Sequence, residues 1–219
     1  MLETLKYCDQ SRHEALDGSA ITDAQKRHAH ELMKPYLVVM PFRHWGYSRR
    51  QPFLQGQLVV HEGMLPLFKA IECQLIDLRY PIKHARPMTE YGWSDAKAMA
   101  DNNTSVYRPD IILSSGAASE HTRGTAIDLN PLDNPLQNYD GSIEPTESIG
   151  RERWSPAVID ARQDVIDMFD QHNMEWGGYW PIRGARDFYT EQTPLDRHHF
   201  ELRPSRIGSI AVPEGLWNS

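Results

Sequence analysis

The sequence predicts an α+β domain, a small antiparallel sheet flanked by helices. Three observations predict it. Apolar residues recur at helical spacing in two stretches: Leu65, Phe68, Ile71, Leu75 and Leu78, then Val158, Val165, Ile166 and Phe169. Short strand-like patterns stand at Gly56–Val60, Ala126–Leu129 and His199–Leu202. These pieces do not alternate regularly as strand, helix, strand, so a doubly wound parallel sheet is not expected.

The elements follow in order. Residues 1–20 are polar and mixed and read as a loose start. Thr22-Asp-Ala-Gln25 has capping-box spacing and opens a helix that Pro35 ends near Lys34. Leu37–Met40 reads as a short strand stopped by Pro41. Gly56–Val60 is a second strand, and residues 64–79 are an amphipathic helix. Leu78–Ile82 is extended, and residues 92–110, rich in Asp, Asn, Ser and Gly, read as a loop. Ala126–Leu129 is a short strand stopped by Asn130-Pro131, and residues 136–154 form a long polar loop. Ser155-Pro156 is a helix start, with Asn173 as its stop. Trp176-Gly-Gly-Tyr-Trp180 is a tight aromatic turn, and His199–Leu202 is the last strand.

Composition excludes several classes of function. The chain has 219 residues, 40% of them apolar and 24% charged, which suits one soluble domain with a real core. Lys and Arg number 23 against 30 Asp and Glu, a net charge of −7 with no basic block, so no nucleic-acid partner is expected. No apolar run is long enough to span a membrane. Two cysteines, Cys8 and Cys73, are too few for a disulfide scaffold or a four-cysteine zinc site. The start lacks a basic region followed by an apolar stretch, so no secretory signal peptide is expected. A monomer is expected.

Ten histidines are present, and most carry no metal chemistry. His28 and His30 lie two apart on the first helix, about 200° around it, and cannot chelate together. His13, His44, His61, His84 and His172 stand alone, which favours surface or structural roles. His121, Asp128 and His199 are different. A hydrolytic zinc needs three ligands from His, Asp or Glu and an open position for water. His121 and Asp128 supply two across a turn that Gly124 can make. Asp128 sits in an apolar strand, where an unpaired carboxylate is costly and a cation removes the cost. His199 supplies the third. Strand alternation puts Glu201 on the same face as His199, where it can orient that ligand, while Phe200 and Leu202 face the core. Asp196, three residues before His199, is the expected general base and then acid. Arg108 is the expected donor to a developing oxyanion or a substrate carboxylate.

The joint pattern Ser119-x-His121-x-x-Gly124-x-Ala126-x-Asp128, followed by Asp196-x-x-His199-Phe-Glu201, resembles the zinc D-Ala-D-Ala carboxypeptidases and L-alanyl-D-glutamate endopeptidases of bacterial cell-wall metabolism. The vancomycin-resistance dipeptidases and several phage endolysins look related. Gly56–Val60, Arg79–Ile82, Asp101–Arg108, Ile127–Pro131, Asn134-Pro135 and Trp176–Gly178 extend the resemblance over residues 55–204. It implies a hedgehog/D-Ala-D-Ala-peptidase-like fold, with a catalytic domain at 55–219 and an extension at 1–54 packed on or preceding it. It implies one Zn2+ per chain held by His121, Asp128 and His199, Asp196 as acid/base, and Arg108 steadying the transition state. Ser119, Glu201 and Tyr107 fall to the substrate or to support behind the ligands. His198 departs from the pattern, which usually has an apolar residue there; the Phe-Glu that follows favours His199 as ligand. The implied partner is a peptidoglycan stem peptide, hydrolysed at D-Ala–D-Ala or at L-Ala–D-Glu, with loops 84–118 and 136–154 deciding which. The wall would be reached by export or by release during phage lysis. A zinc-stabilised binding domain without turnover is the alternative.

Overall fold

The structure, a computed structural model, describes residues 8–47, 53–110, 119–138, 140–149, 155–180, 195–208, 210–213 and 216. The described chain opens not on loose polypeptide but on a helix, α1 (Cys8–Ala15), whose end buries Ala15 and Leu16. The next helix, α2 (Ala24–Met33), is capped by Asp23 rather than Thr22: its carboxylate accepts from the backbone N–H of Gln25 and Lys26. Its inward face carries Ala29, His30 and Met33.

Pro41 does not stop the first strand. β1 runs Leu37–Trp45 and pairs antiparallel with β2 (Phe53–His61). Pro41 is exposed and β1 is an edge strand, where the missing N–H costs little. Met40 and Phe42 of β1 join Leu58 and Val60 of β2 in the main core. The expected division at 54/55 therefore falls inside β2, and residues 37–54 include core.

Helix α3 (Leu65–Asp77) lays Phe68, Ile71 and Leu75 on this hairpin. The segment expected as loop contains β3 (His84–Ala85), a helix α4 (Asp95–Ala100) capped by Ser94, and β4 (Asn103–Thr104), which pairs with β3 in parallel. One turn of helix, α5 (Glu120–Arg123), leads into β5 (Ala126–Asp128). The polar stretch after 136 is a hairpin, β6 (Leu136–Gln137) and β7 (Ile143–Glu144).

Helix α6 covers Gln163–Gln171, starting later than Ser155-Pro156 suggested. Ala157, Val158 and Ile159 are all buried, and three consecutive residues cannot share one helix face, so this stretch is a turn and a short 3-10 segment. Asn173 ends α6 in the left-handed region, with φ 59°. Then come β8 (Met174–Trp176), β9 (Leu195–Asp196), β10 (His199–Leu202) and a last turn of helix, α7 (Pro204–Ile207).

The strands form small sheets. The one that matters for function is antiparallel, in the order β5-β10-β8; a second, β7-β6-β9, supports it. Phe200 stacks on Phe169 at 3.9 Å and anchors β10 against α6. Among the described residues no helix is long and apolar enough to cross a membrane. Cys73 is a free, exposed thiol, whereas the side chain of Cys8 lies outside the described residues.

Candidate metal centre

The site is built by register. His199 on β10 lies directly opposite Asp128 on β5. Directly opposed residues in an antiparallel pair project to the same face about 4.5–5.5 Å apart at Cβ, so the two side chains must meet. Phe200, the next residue on β10, points the other way and is fully buried. The other edge of β5 is fixed by reciprocal backbone hydrogen bonds between Asp128 and Ser105.

His121 arrives from α5. Ser119 caps that single turn, its hydroxyl accepting from the N–H of Thr122. Gly124 ends it with φ 69°, and a Cβ there would lie 2.7 Å from the backbone nitrogen of His61 on β2. Only glycine allows both the left-handed turn and that close approach. The turn folds His121 back over β5.

Three atoms converge. His121 Nε2, Asp128 Oδ1 and His199 Nδ1 lie 3.1 Å from one another along every edge of the triangle. All three residues are buried, and they form a group able to hold a metal ion. The other ring nitrogens are already committed. His121 Nδ1 donates to the carbonyl of Val106 at 2.6 Å, and His199 Nε2 lies 3.1 Å from Glu201 Oε2. Each commitment leaves a lone pair on the nitrogen facing the triangle, as metal-bound histidines require. Two imidazole lone pairs and a carboxylate oxygen repel unless something positive lies among them. Corners of a tetrahedron with bonds of ~2.0–2.2 Å lie ~3.3–3.6 Å apart, a few tenths of an ångström wider than this triangle. The donor set of two neutral histidines and one carboxylate fits a hydrolytic zinc with an open position.

The electrostatics agree. Burial opposes a charge on His199, but hydrogen bonds to Asp128 and Glu201 outweigh it and hold its pKa up at about 10. A proton thus serves as the positive particle when no ion does. Burial and the nearby Arg108 guanidinium push the pKa of His121 down. Burial also resists ionisation of Asp128, yet His121, Arg108 and His198 together hold its pKa well below the usual carboxylate range.

Arg108 stands behind the triangle. Its Nη1 donates to Asp128 Oδ2 and lies 3.5 Å from Asp95 Oδ1, while its Nε is 3.8 Å from Asp110 Oδ2. Asp196, on β9, is brought next to the cluster through His198: Asp196 Oδ1 is 3.1 Å from His198 Nε2, which is 3.9 Å from Asp128 Oδ1. That contact is not in hydrogen-bond geometry, and Asp196 Oδ1 is buried without a hydrogen bond among the described residues. A Cβ on Gly177 would lie 2.5 Å from the Asp196 carbonyl, so the glycine lets β9 pass. Tyr107 is not brought in: it is buried among Trp93 and His30 and bonds to His30 through its hydroxyl. Ser119 serves as the cap described above.

Some contributors carry no sequence signal. The Val106 carbonyl is backbone. His198, held through Nδ1 by the Asn134 carbonyl at 2.8 Å, is visible in the sequence only as the second of two adjacent histidines. The Trp180 ring, 5.2 Å from that of His199, could have been suspected only from the aromatic turn. Parts of the two expected specificity loops, 111–118, 139 and 150–154, lie outside the described residues.

No curated protein and no solved structure matches the chain. A family model does: residues 114–202 match that of D-alanyl-D-alanine carboxypeptidase, a stretch containing all three converging side chains and Asp196 but neither Arg108 nor α2. The match and the buried His-Asp-His group together support a metallopeptidase similar, over this stretch, to D-alanyl-D-alanine carboxypeptidase.

Proposed function

We propose that the protein is a zinc peptidase that hydrolyses a bond in peptidoglycan stem peptides, as a D-Ala-D-Ala carboxypeptidase or an L-Ala-D-Glu endopeptidase, on a hedgehog/D-Ala-D-Ala-peptidase-like fold. The observation that carries the reading is the triangle of His121 Nε2, Asp128 Oδ1 and His199 Nδ1, with every other ring nitrogen in it already committed. These three atoms would hold the ion. When bound, zinc supplies a Lewis acid for the scissile carbonyl and lowers the pKa of its water toward ~7.

The chain's own groups do the rest. Asp196 takes the proton of the attacking water on its carboxylate and returns it to the leaving amine. Its uncommitted, buried oxygen suits that task, because a carboxylate already saturated with hydrogen bonds is a poor base. Arg108 fixes the outer oxygen of Asp128, which leaves Oδ1 for the ion. Its Nε–H, buried without a hydrogen bond among the described residues, is the donor left for a developing oxyanion or a substrate carboxylate. Glu201 holds the ring of His199 in one tautomer.

Digestion of purified sacculi followed by mass spectrometry tests the reading. The zinc-loaded chain should release peptides cut at one stem-peptide bond. Asp196→Ala should lose ~10²–10⁴ in rate while keeping its zinc. A zinc-loaded chain that releases nothing would favour a binding domain without turnover, and an Asp196→Ala variant of full activity would remove the acid/base from the scheme.

A further inference from the structure

The short segment Val106–Arg108 touches two of the three converging residues from outside. The Val106 carbonyl accepts from His121 Nδ1 at 2.6 Å, and Arg108 donates to Asp128 Oδ2. Tyr107, between them, points the opposite way, as alternation along extended chain requires. There its hydroxyl donates to His30 Nδ1 at 2.9 Å, and His30 Nε2 donates to the Leu16 carbonyl at 2.9 Å. Both nitrogens of His30 are thus committed, which fixes the ring and so the hydroxyl it receives. Trp93 packs edge-on to both rings, at 4.9 Å from His30 and 6.0 Å from Tyr107. Two residues beyond Arg108, Asp110 Oδ1 pairs with Lys26 Nζ at 2.8 Å. Lys26 and His30 are four apart on α2 and therefore share one face, and that face meets this segment. On its other side the segment is tied by Tyr107 N–H to the Val59 carbonyl at 3.1 Å and by Asp110 N–H to Thr122 Oγ1 at 2.6 Å.

We infer that α2 is a brace for the metal centre, with Lys26 and His30 as positioning residues. They hold Tyr107 and Asp110, and so set where the Val106 carbonyl and the Arg108 guanidinium stand against His121 and Asp128. The inference rests on reading the triangle as a zinc site. It gives the N-terminal region, which the family match does not reach, a part in ion binding rather than a covering role alone. Groups behind metal ligands set ligand orientation and basicity, and a backbone carbonyl can do this only as well as its own segment is held.

Zinc titration of the full chain in competition with a chromogenic chelator tests the brace. Tyr107→Phe removes only the hydroxyl and keeps the ring against Trp93. Lys26→Met breaks a part-exposed ion pair and decides the matter should Tyr107→Phe not fold. Each variant should keep the zinc stoichiometry and circular dichroism of the wild type yet bind zinc ~3–10-fold more weakly, less than the ~10–100-fold typical when a partner touching the ligand is lost. Lys26→Arg should restore wild-type affinity, which loss of bulk packing at this position would not predict. Wild-type affinity in both Tyr107→Phe and Lys26→Met overturns the brace while leaving the zinc site standing. A wild-type chain that takes up no zinc overturns the zinc site and the brace with it.

Discussion

Two buried histidine clusters meet at the segment Val106–Arg108, and they satisfy their ring nitrogens in opposite ways. Around His30, one nitrogen donates to a carbonyl and the other accepts from a hydroxyl. The proton count closes with neutral groups, and no cation is needed. His61 is similar: Nε2 donates to the Ala211 carbonyl and Nδ1 accepts from the N–H of Gly63. Around His121 and His199 the outward nitrogens donate to oxygen, and the inward ones face each other and Asp128 Oδ1. The count there closes only with an added positive charge. Burial is the same in both clusters, so burial alone does not mark a metal site. What marks it is the direction of the lone pairs.

The comparison can be broken most sharply at Asp128. Asp128→Asn removes the one anionic ligand and should weaken zinc binding beyond the ~100-fold upper end for an outer partner, as read by chelator competition. Glu201→Gln comes next. It keeps a hydrogen-bond partner for His199 Nε2 but removes its charge, and zinc affinity should fall by ~10-fold or somewhat more. In the neutral cluster, the same kind of change should be felt as stability. His30→Ala leaves a cavity and strands the Leu16 carbonyl and Tyr107 hydroxyl, a cost of about 2–4 kcal/mol in chemical denaturation. Zinc affinity should change far less in His30→Ala than in Asp128→Asn, and equal losses would erase the distinction between the clusters.

The smallest effect is on pH. Burial lowers the pKa of His30, His44 and His61 from 6.5. The unfolded chain therefore binds more protons than the folded one as pH falls through 6.5, and stability drops on acidification. Above ~pH 7.5 these three groups contribute no slope, since both states are deprotonated. The thermal midpoint of the zinc-free chain, followed by circular dichroism, should fall toward pH 5 and should also fall above neutrality, where folded His199 still holds the proton that its unfolded form has lost. In His30→Ala the acid slope should be shallower; an unchanged slope would mean that His30 takes up its proton without cost in the folded state.

The three converging residues could be read from the sequence because each is a side chain whose type and spacing coordination chemistry would demand. Gly124 was legible for the same reason, since only one residue makes that turn. The alternation of His199 with Phe200 also carried through, placing Glu201 on the ring of His199. What could not be read falls into two kinds. Backbone partners such as the Val106 carbonyl have no residue identity to betray them. Tertiary context overrode local signals elsewhere: Pro41 sits inside β1 because its strand is an edge, and α6 begins at Gln163 because Ala157, Val158 and Ile159 must all be buried. Helix α1 was hidden for a related reason. Its polar sequence holds few apolar positions, and among its described side chains the buried ones, Ala15 and then Leu16, come at its end.

The most direct test is elemental analysis of the chain after zinc loading and desalting, for the wild type and for His121→Ala and His199→Ala. Convergence of three ligands on one ion predicts about one zinc per wild-type chain and none retained by either variant, with both variants still folded. Wild-type protein that retains no zinc, or variants that keep a full equivalent, would contradict it.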